Sequence, residues 1–193
     1  MQSDGMAQKK KHQLPDILAT DIVAKSGLFT VESLDLEFSN GQKRKYERIK
    51  GGGRGAVMIV PLVDDDTLLL VREYCAGTHD YQLGFPKGLI DPGEDVMQAG
   101  NRELKEEAGF GAKELTELKQ VSLAPSYFNA KMHIILAEEL FNESLLGDEP
   151  EPLEVVHWPL SQWQALLTQK DFTEARSVAA LFLAKEHLAS RAK

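Results

Sequence analysis

Four glutamates and an arginine fall within Gly88–Phe110, GLIDPGEDVMQAGNRELKEEAGF, at spacings that helix stability alone does not favour. After Pro92 and Gly93 the pattern predicts a helix from about Asp95 to Ala108. On a wheel of ~100° per residue, Glu103 and Glu107 share a face and Glu106 lies beside them. Like charges at those spacings cost a helix ~0.2–0.5 kcal/mol per pair. A hard divalent cation turns that repulsion into coordination, because Mg²⁺ takes oxygen ligands and keeps several waters. Arg102 stands next to the cluster and reads as an organiser of carboxylates, which a guanidinium can hold bidentately. The plainer reading of such a charged run is a solvated helix face.

The same wheel assigns the supporting positions. Met97, Leu104 and Ala108 form an apolar side expected to pack inward, while Gln98, Asn101 and Lys105 are expected to point to water. Ala99 and Gly100 are small and admit another backbone; the loop containing Gly88 is the expected visitor, since glycine allows close approach.

Around this helix the chain alternates as strands do. Phe29–Val31 and Leu34–Phe38 lead to Asn40-Gly41, a hairpin signal, and the chain returns through Lys43–Ile49. Gly51-Gly52-Gly53 reads as a joint. Ala56–Val63 and Thr67–Glu73 are apolar runs expected to be central strands, with Asp64-Asp65-Asp66 a solvated turn between them. Leu115–Leu123, Met132–Leu140 and Val155–Trp158 read as further strands, with a loop at Pro125–Asn129. Helices are expected from Ser161 to about Leu167 and from Glu174 to Leu188. The fold class is α+β: a mixed sheet with helices on both sides, preceded by a small antiparallel N-terminal β unit. The expected division is a flexible tail at 1–15, the β unit at 16–50 and a main domain at 54–193. His133 and His157 alternate with apolar neighbours and are expected to be packed; Trp158 and Trp163 read as core or interface residues.

Bulk composition narrows the function. The chain has 193 residues, 42% hydrophobic, with a formal net charge of −8. That charge argues against a general affinity for nucleic-acid backbones or anionic membranes. An acidic protein that handles phosphates must bring positive charge locally, through arginines and metal ions. The single cysteine, Cys75, excludes an intrachain disulfide and is expected to be an inert buried thiol. No apolar run approaches the ~20 residues of a membrane span. The basic start, MQSDGMAQKKKHQL, lacks the apolar stretch of a secretory signal, so a cytoplasmic setting is expected.

Taken together, Gly88, five residues, Glu94, seven residues, Arg102-Glu103-Leu104, one residue, Glu106-Glu107, one residue and Gly109-Phe110 reproduce the Nudix box at every fixed position. The chain therefore resembles the Nudix hydrolase superfamily. That resemblance implies an α/β/α sandwich and cleavage of a nucleoside diphosphate linked to another group, with Mg²⁺ or Mn²⁺. Pro125, sixteen positions beyond Gly109, and the N-terminal hairpin resemble the ADP-ribose pyrophosphatase branch. The segments LFTVESLDLEFSNG, GFPKGLIDPGE, APSYF and GDEPEPL resemble bacterial members that hydrolyse ADP-ribose, NADH and diadenosine polyphosphates, releasing AMP.

The resemblance also implies roles. Glu103, Glu106 and Glu107, with the Gly88 carbonyl, are expected to hold two or more cations. Glu149, in the acidic loop Gly147–Pro152, is expected to activate water, with Glu106 the next choice and Glu151 a further metal ligand. Glu94 and Arg102 are expected to organise the site. Arg48 and Arg72 are candidates for gripping phosphate, Tyr46 for stacking on adenine, Ser126 and Tyr127 for the terminal ribose. A homodimer with exchanged N-terminal strands is implied. Gln82 stands where many relatives have glutamate, and Asn129-Ala130-Lys131 replace a nearby glutamate common in the branch. Rival readings are another Nudix activity, on nucleoside triphosphates, coenzyme A or RNA caps, and a non-catalytic ADP-ribose-binding regulator.

Overall fold

A computed structural model of the chain describes residues 12–191, so most of the expected 1–15 tail lies outside the described residues. The chain divides into two compact units, residues 1–51 with 126–129, and residues 52–125 with 130–193.

The first unit is an antiparallel sheet of β1 (Asp16–Lys25), β2 (Thr30–Glu37) and β3 (Lys43–Ile49). The Asn40-Gly41 turn connects β2 to β3, with Gly41 at φ 78° in the left-handed region that glycine adopts without strain. Leu34 faces Tyr46 and Glu32 faces Arg48 across that pair. Beyond β3, Ile49 N donates to Tyr127 O at 2.7 Å and Gly51 N to Asn129 Oδ1 at 2.6 Å.

The second unit is built on β4 (Ala56–Pro61), which runs parallel to β9 (Phe128–Asn142) and antiparallel to β7 (Lys87–Leu89); β8 (Phe110–Ala124) pairs with β9. A second sheet has the order β10 (Glu154–Pro159), β5 (Thr67–Cys75), β6 (Asp80–Gly84). The helices are α1 (Val96–Ala108), α2 (Trp163–Leu166, after a 3₁₀ turn at Leu160–Gln162) and α3 (Ala175–Arg191).

Strand alternation explains the layering. Met58 and Val60 of β4 join Leu68, Leu70, Met132 and Ile134 in one core, against Ala180, Leu181 and Ala184 of α3. Val57 and Ile59 face the other way, with Ile135 and Ala137, against Ala99, Leu104 and Ala108 of α1. Leu70 is 0% exposed. Leu70→Ala is expected to lower the unfolding free energy by about 2–5 kcal/mol, read from a urea melt. Leu146→Ala, at a side chain 97% exposed, should stay within about 0.5 kcal/mol of the parent.

Several local expectations change. β6 and β7 have no counterpart in the sequence reading; β7, with three residues, is too short to show a period. Phe128 and Asn129 belong to β9, not to the loop before it. His157 is exposed, and His133 is half-buried but tied to Glu117 (2.6 Å) and Gln120 (2.9 Å) across the β8–β9 pair, so neither is simply packed. Asp66 does more than turn the chain: it accepts from Ser161 N at 2.6 Å and Ser161 Oγ at 2.7 Å, fixing the start of the 3₁₀ turn.

Candidate active site

Helix α1 is cut to length at both ends by its own sequence. Asp95 caps it, accepting from Met97 N and Gln98 N at 2.9 Å, while Gln98 Oε1 accepts in return from Asp95 N, a capping box. Gly109 stops it at φ 75°. The wheel is borne out in part. Glu103 and Glu107 lie side by side and are only 8% and 6% exposed, with Glu106 half-buried next to them. Asn101 and Lys105 do not point to water. Asn101 exchanges bonds with Ala112 N (2.9 Å) and O (3.1 Å), and Lys105 reaches Glu143 at 2.9 Å, because β8 and the end of β9 cover that side. Gly100 also meets a different visitor: a Cβ there would lie 2.8 Å from Ile135 Cδ1.

Gly88 instead meets Glu103. A Cβ on Gly88 would fall 2.0 Å from Glu103 Cδ, so only a hydrogen fits between the β7 backbone and that carboxylate. Arg102 ties the cluster together. Its Nη1 donates to Glu103 Oε1 and Glu106 Oε2 at 2.8 Å each, its Nε to Glu94 Oε1 at 2.8 Å, and its Nη2 to Glu94 Oε2 at 3.1 Å and Leu89 O at 2.9 Å. One guanidinium thus joins three carboxylates and a backbone carbonyl. Those bonds hold Glu94 below the usual carboxylate range.

Glu107 accepts from Lys87 N at 3.0 Å. Burial, reinforced by the charges of Glu73 and Glu103 and opposed by Lys87, pushes its carboxyl up to about 8. Burial likewise raises Glu103, with Glu106 and Glu149 adding to it against Arg102. The Lys87 ammonium pairs with Glu73, and Glu107 and Glu73 keep it charged in spite of its burial. Lys87 and Glu73 were missed from sequence. The available signal was Lys87's place directly before the box glycine.

Among the described residues, no three His, Cys, Asp or Glu side chains converge as a ready-made metal cage. Arg102 Nη1 occupies the space between Glu103 and Glu106, as unscreened carboxylates require a cation between them. The donors nevertheless fit a hard divalent ion. They are oxygens throughout, three carboxylates and the Gly88 carbonyl; Glu103 and Glu107 are buried where an unpaired charge is costly, and Glu103 rests directly on the Gly88 backbone.

The acidic loop lies in the same unit. A Cβ at Gly147 would sit 2.3 Å from Glu149 Oε2 and 3.6 Å from Glu106 Cβ, so the Glu149 carboxylate folds back beside α1. Glu151, expected as a metal ligand, accepts a hydrogen bond from the Tyr81 hydroxyl. Tyr81 was not singled out from sequence.

The expected phosphate-binding cations are already engaged. Arg72 contacts Glu154 at 2.6 Å and Asp171 at 3.0 Å, which leaves one N–H on each of Nη1 and Nη2 for a phosphate. In the first unit, Arg48 and Lys50 share buried Glu32, at 3.0 and 2.9 Å. There Tyr46 is 48% exposed and leans on Phe38, its ring centroid 6.3 Å away. Ser126 and Tyr127 are exposed. Gln82 accepts from Thr173 at 2.7 Å, and burial raises the Cys75 thiol, away from a nucleophile's range.

The NudE-type Nudix hydrolase N-terminal domain model matches residues 15–48, and the NUDIX domain model matches residues 53–182. ADP compounds hydrolase NudE of Escherichia coli (strain K12) is 62% identical over 179 residues, covering 93% of this chain and 96% of that protein. ADP-ribose pyrophosphatase of Bacillus subtilis (strain 168) is 28% identical, covering 82% of this chain and 89% of its own length. A crystal structure of ADP compounds hydrolase superposes with a TM-score of 0.89 at 60% identity, over 94% of this chain and 98% of that one. With the NUDIX model spanning most of the sequence and three of the four box glutamates gathered around one arginine, the chain belongs to the Nudix hydrolase family.

Proposed function

We propose that this enzyme hydrolyses the pyrophosphate bond of ADP-linked compounds, with ADP-ribose, NADH and diadenosine polyphosphates as substrates and AMP as a product. The observation that carries the reading is the buried Glu103–Glu107 pair beside Gly88, in a chain so similar to an ADP compounds hydrolase. Glu103, Glu106 and Glu107, with the Gly88 carbonyl, would hold Mg²⁺ or Mn²⁺, two or more per site. Such cations supply positive charge to phosphate oxygens and lower the pKa of bound water. Glu149 takes the proton of the attacking water, with Glu106 the alternative base. Arg102 and Glu94 keep the carboxylates aligned, and Arg72 offers its remaining N–H groups to substrate phosphate. From the first unit, Arg48, Tyr46, Ser126 and Tyr127 are assigned to substrate binding.

A panel of ADP-linked compounds, turned over with each metal in ¹⁸O-labelled water, tests this. AMP from every ADP-linked substrate is the expected product, and the labelled fragment identifies the attacked phosphorus. Faster turnover of nucleoside triphosphates than of ADP-ribose would overturn the assignment.

The functional form we infer is a cytoplasmic homodimer. β1 is an edge strand exposed along its whole length, with Ile17, Leu18, Ile22 and Val23 each at least 50% exposed. An open apolar edge of this kind is a template for pairing with another chain. Sedimentation should give twice the 21.4 kDa chain mass, and Ile22→Lys should halve it. A parent protein that sediments as a fully active monomer would remove the dimer.

A further inference from the structure

We propose that Tyr81 is a positioning residue for hydrolysis, its hydroxyl latching Glu151 so that the acidic loop keeps Glu149 beside α1. The inference rests on the reading of Glu149 as the base.

The loop has little else to hold it. Upstream, Glu143 N donates to Gly109 O and Leu145 N to Lys105 O, both at 3.2 Å, which fastens the chain to the end of α1. Downstream, β10 starts at Glu154, opposite Arg72 on β5, and Leu153 packs against the core beneath. Between these anchors, among the described residues, 146–152 make one hydrogen bond, the one from Tyr81 to Glu151. Leu146 is 97% exposed, so apolar burial does not fix the segment. Pro150 and Pro152 flank Glu151 and stiffen the chain around it, so a tether on Glu151 restrains Glu149 two residues away.

The other half of the contact stands on a rigid support. Tyr81 lies opposite Tyr74 in the β5–β6 ladder, and the two rings meet edge to face with centroids 5.8 Å apart. Tyr74 is itself held, its hydroxyl 2.8 Å from His79 Nδ1 in the turn of that hairpin. The phenol is thus a fixed donor presented to an acceptor on a weakly anchored loop, and a hydrogen bond to a carboxylate is among the stronger kinds. The geometry gives Glu151 a task that does not involve a metal ion.

The test uses the full chain and two independent readouts, chymotryptic cleavage after Leu146 and steady-state kinetics. Tyr81→Phe and Glu151→Ala should each speed cleavage about tenfold, the scale of one charge-assisted bond, and the double variant should go no faster. Glu151→Gln should keep the resistance, because its amide oxygen still accepts from the phenol. Tyr81→Phe should lower kcat by about three- to tenfold with KM unchanged, since the loop acts on the chemical step rather than on uniform binding. Parental cleavage and kcat in Tyr81→Phe would overturn the proposal. So would calorimetric titration with Mg²⁺ alone showing that Glu151→Gln and Glu151→Ala both lose cation affinity while Tyr81→Phe keeps it, since Glu151 would then be a ligand. Full turnover by Glu149→Gln would instead remove the base assignment and leave the cleavage pattern of the tether standing.

Discussion

Glu107→Gln is expected to lower kcat by about 10³-fold or more. The carboxylate is 6% exposed on the face that Glu103 shares, and the amide that replaces it cannot neutralise a divalent cation. Loss of several kcal/mol of transition-state charge stabilisation corresponds to about a decade per 1.4 kcal/mol. Stability should move the other way when cations are chelated. Burial raises the folded-state value of Glu107 from 4.5 to about 8, so between those limits the folded chain holds a proton that the unfolded chain has released. Its contribution to stability is therefore complete below pH 4.5 and is lost as pH rises toward about 8. Thermal melts in EDTA from about pH 5 to 9 should show the parent losing stability across that window more steeply than Glu107→Gln. The glutamine variant should melt several degrees higher at the alkaline end, while Lys87 N keeps an acceptor. A variant that turns over normally and binds Mg²⁺ as the parent does would end the metal-site reading.

The second large effect comes from adding one methyl group. In Gly88→Ala the new Cβ would fall 2.0 Å from Glu103 Cδ and 2.3 Å from Oε2, inside the closest approach that Cβ atoms make. The carboxylate must move, and Arg102 Nη1, 2.8 Å from it and from Glu106, loses a partner as it does. We expect kcat to fall about 10²-fold or more, the scale of losing one preorganised charged group, with the fold intact. Glu103→Gln should give a similar loss, and the double variant should be little worse than either single one, because both changes displace the same carboxylate. Gly52→Ala is the control: a Cβ there meets nothing within 4 Å, and activity should be unchanged. Equal activity in Gly88→Ala and the parent would show that Glu103 does not depend on its contact with β7.

The chemistry was legible in the sequence because it is encoded locally. The angular relation of Glu103, Glu106 and Glu107 follows from helix periodicity, and Asp95, Gln98 and Gly109 set the helix ends through contacts a few residues long. The apolar runs Ala56–Val63 and Thr67–Glu73 announced the central strands, which the structure bounds at Ala56–Pro61 and Thr67–Cys75. Short strands such as Lys87–Leu89 left no such trace, since three residues do not define a period.

What the sequence by itself determined was therefore the box, its helix, the run of central strands and the family they resemble. Only the tertiary structure decided the partners. It placed Ile135 over Gly100, turned Asn101 and Lys105 inward, set Lys87 between Glu73 and Glu107, and joined Tyr81 to Glu151 across 70 positions. Periodicity specifies the direction in which a side chain leaves its own element. Burial, charge and hydrogen bonding depend on which distant segment meets it there, and that is settled only when the layers pack.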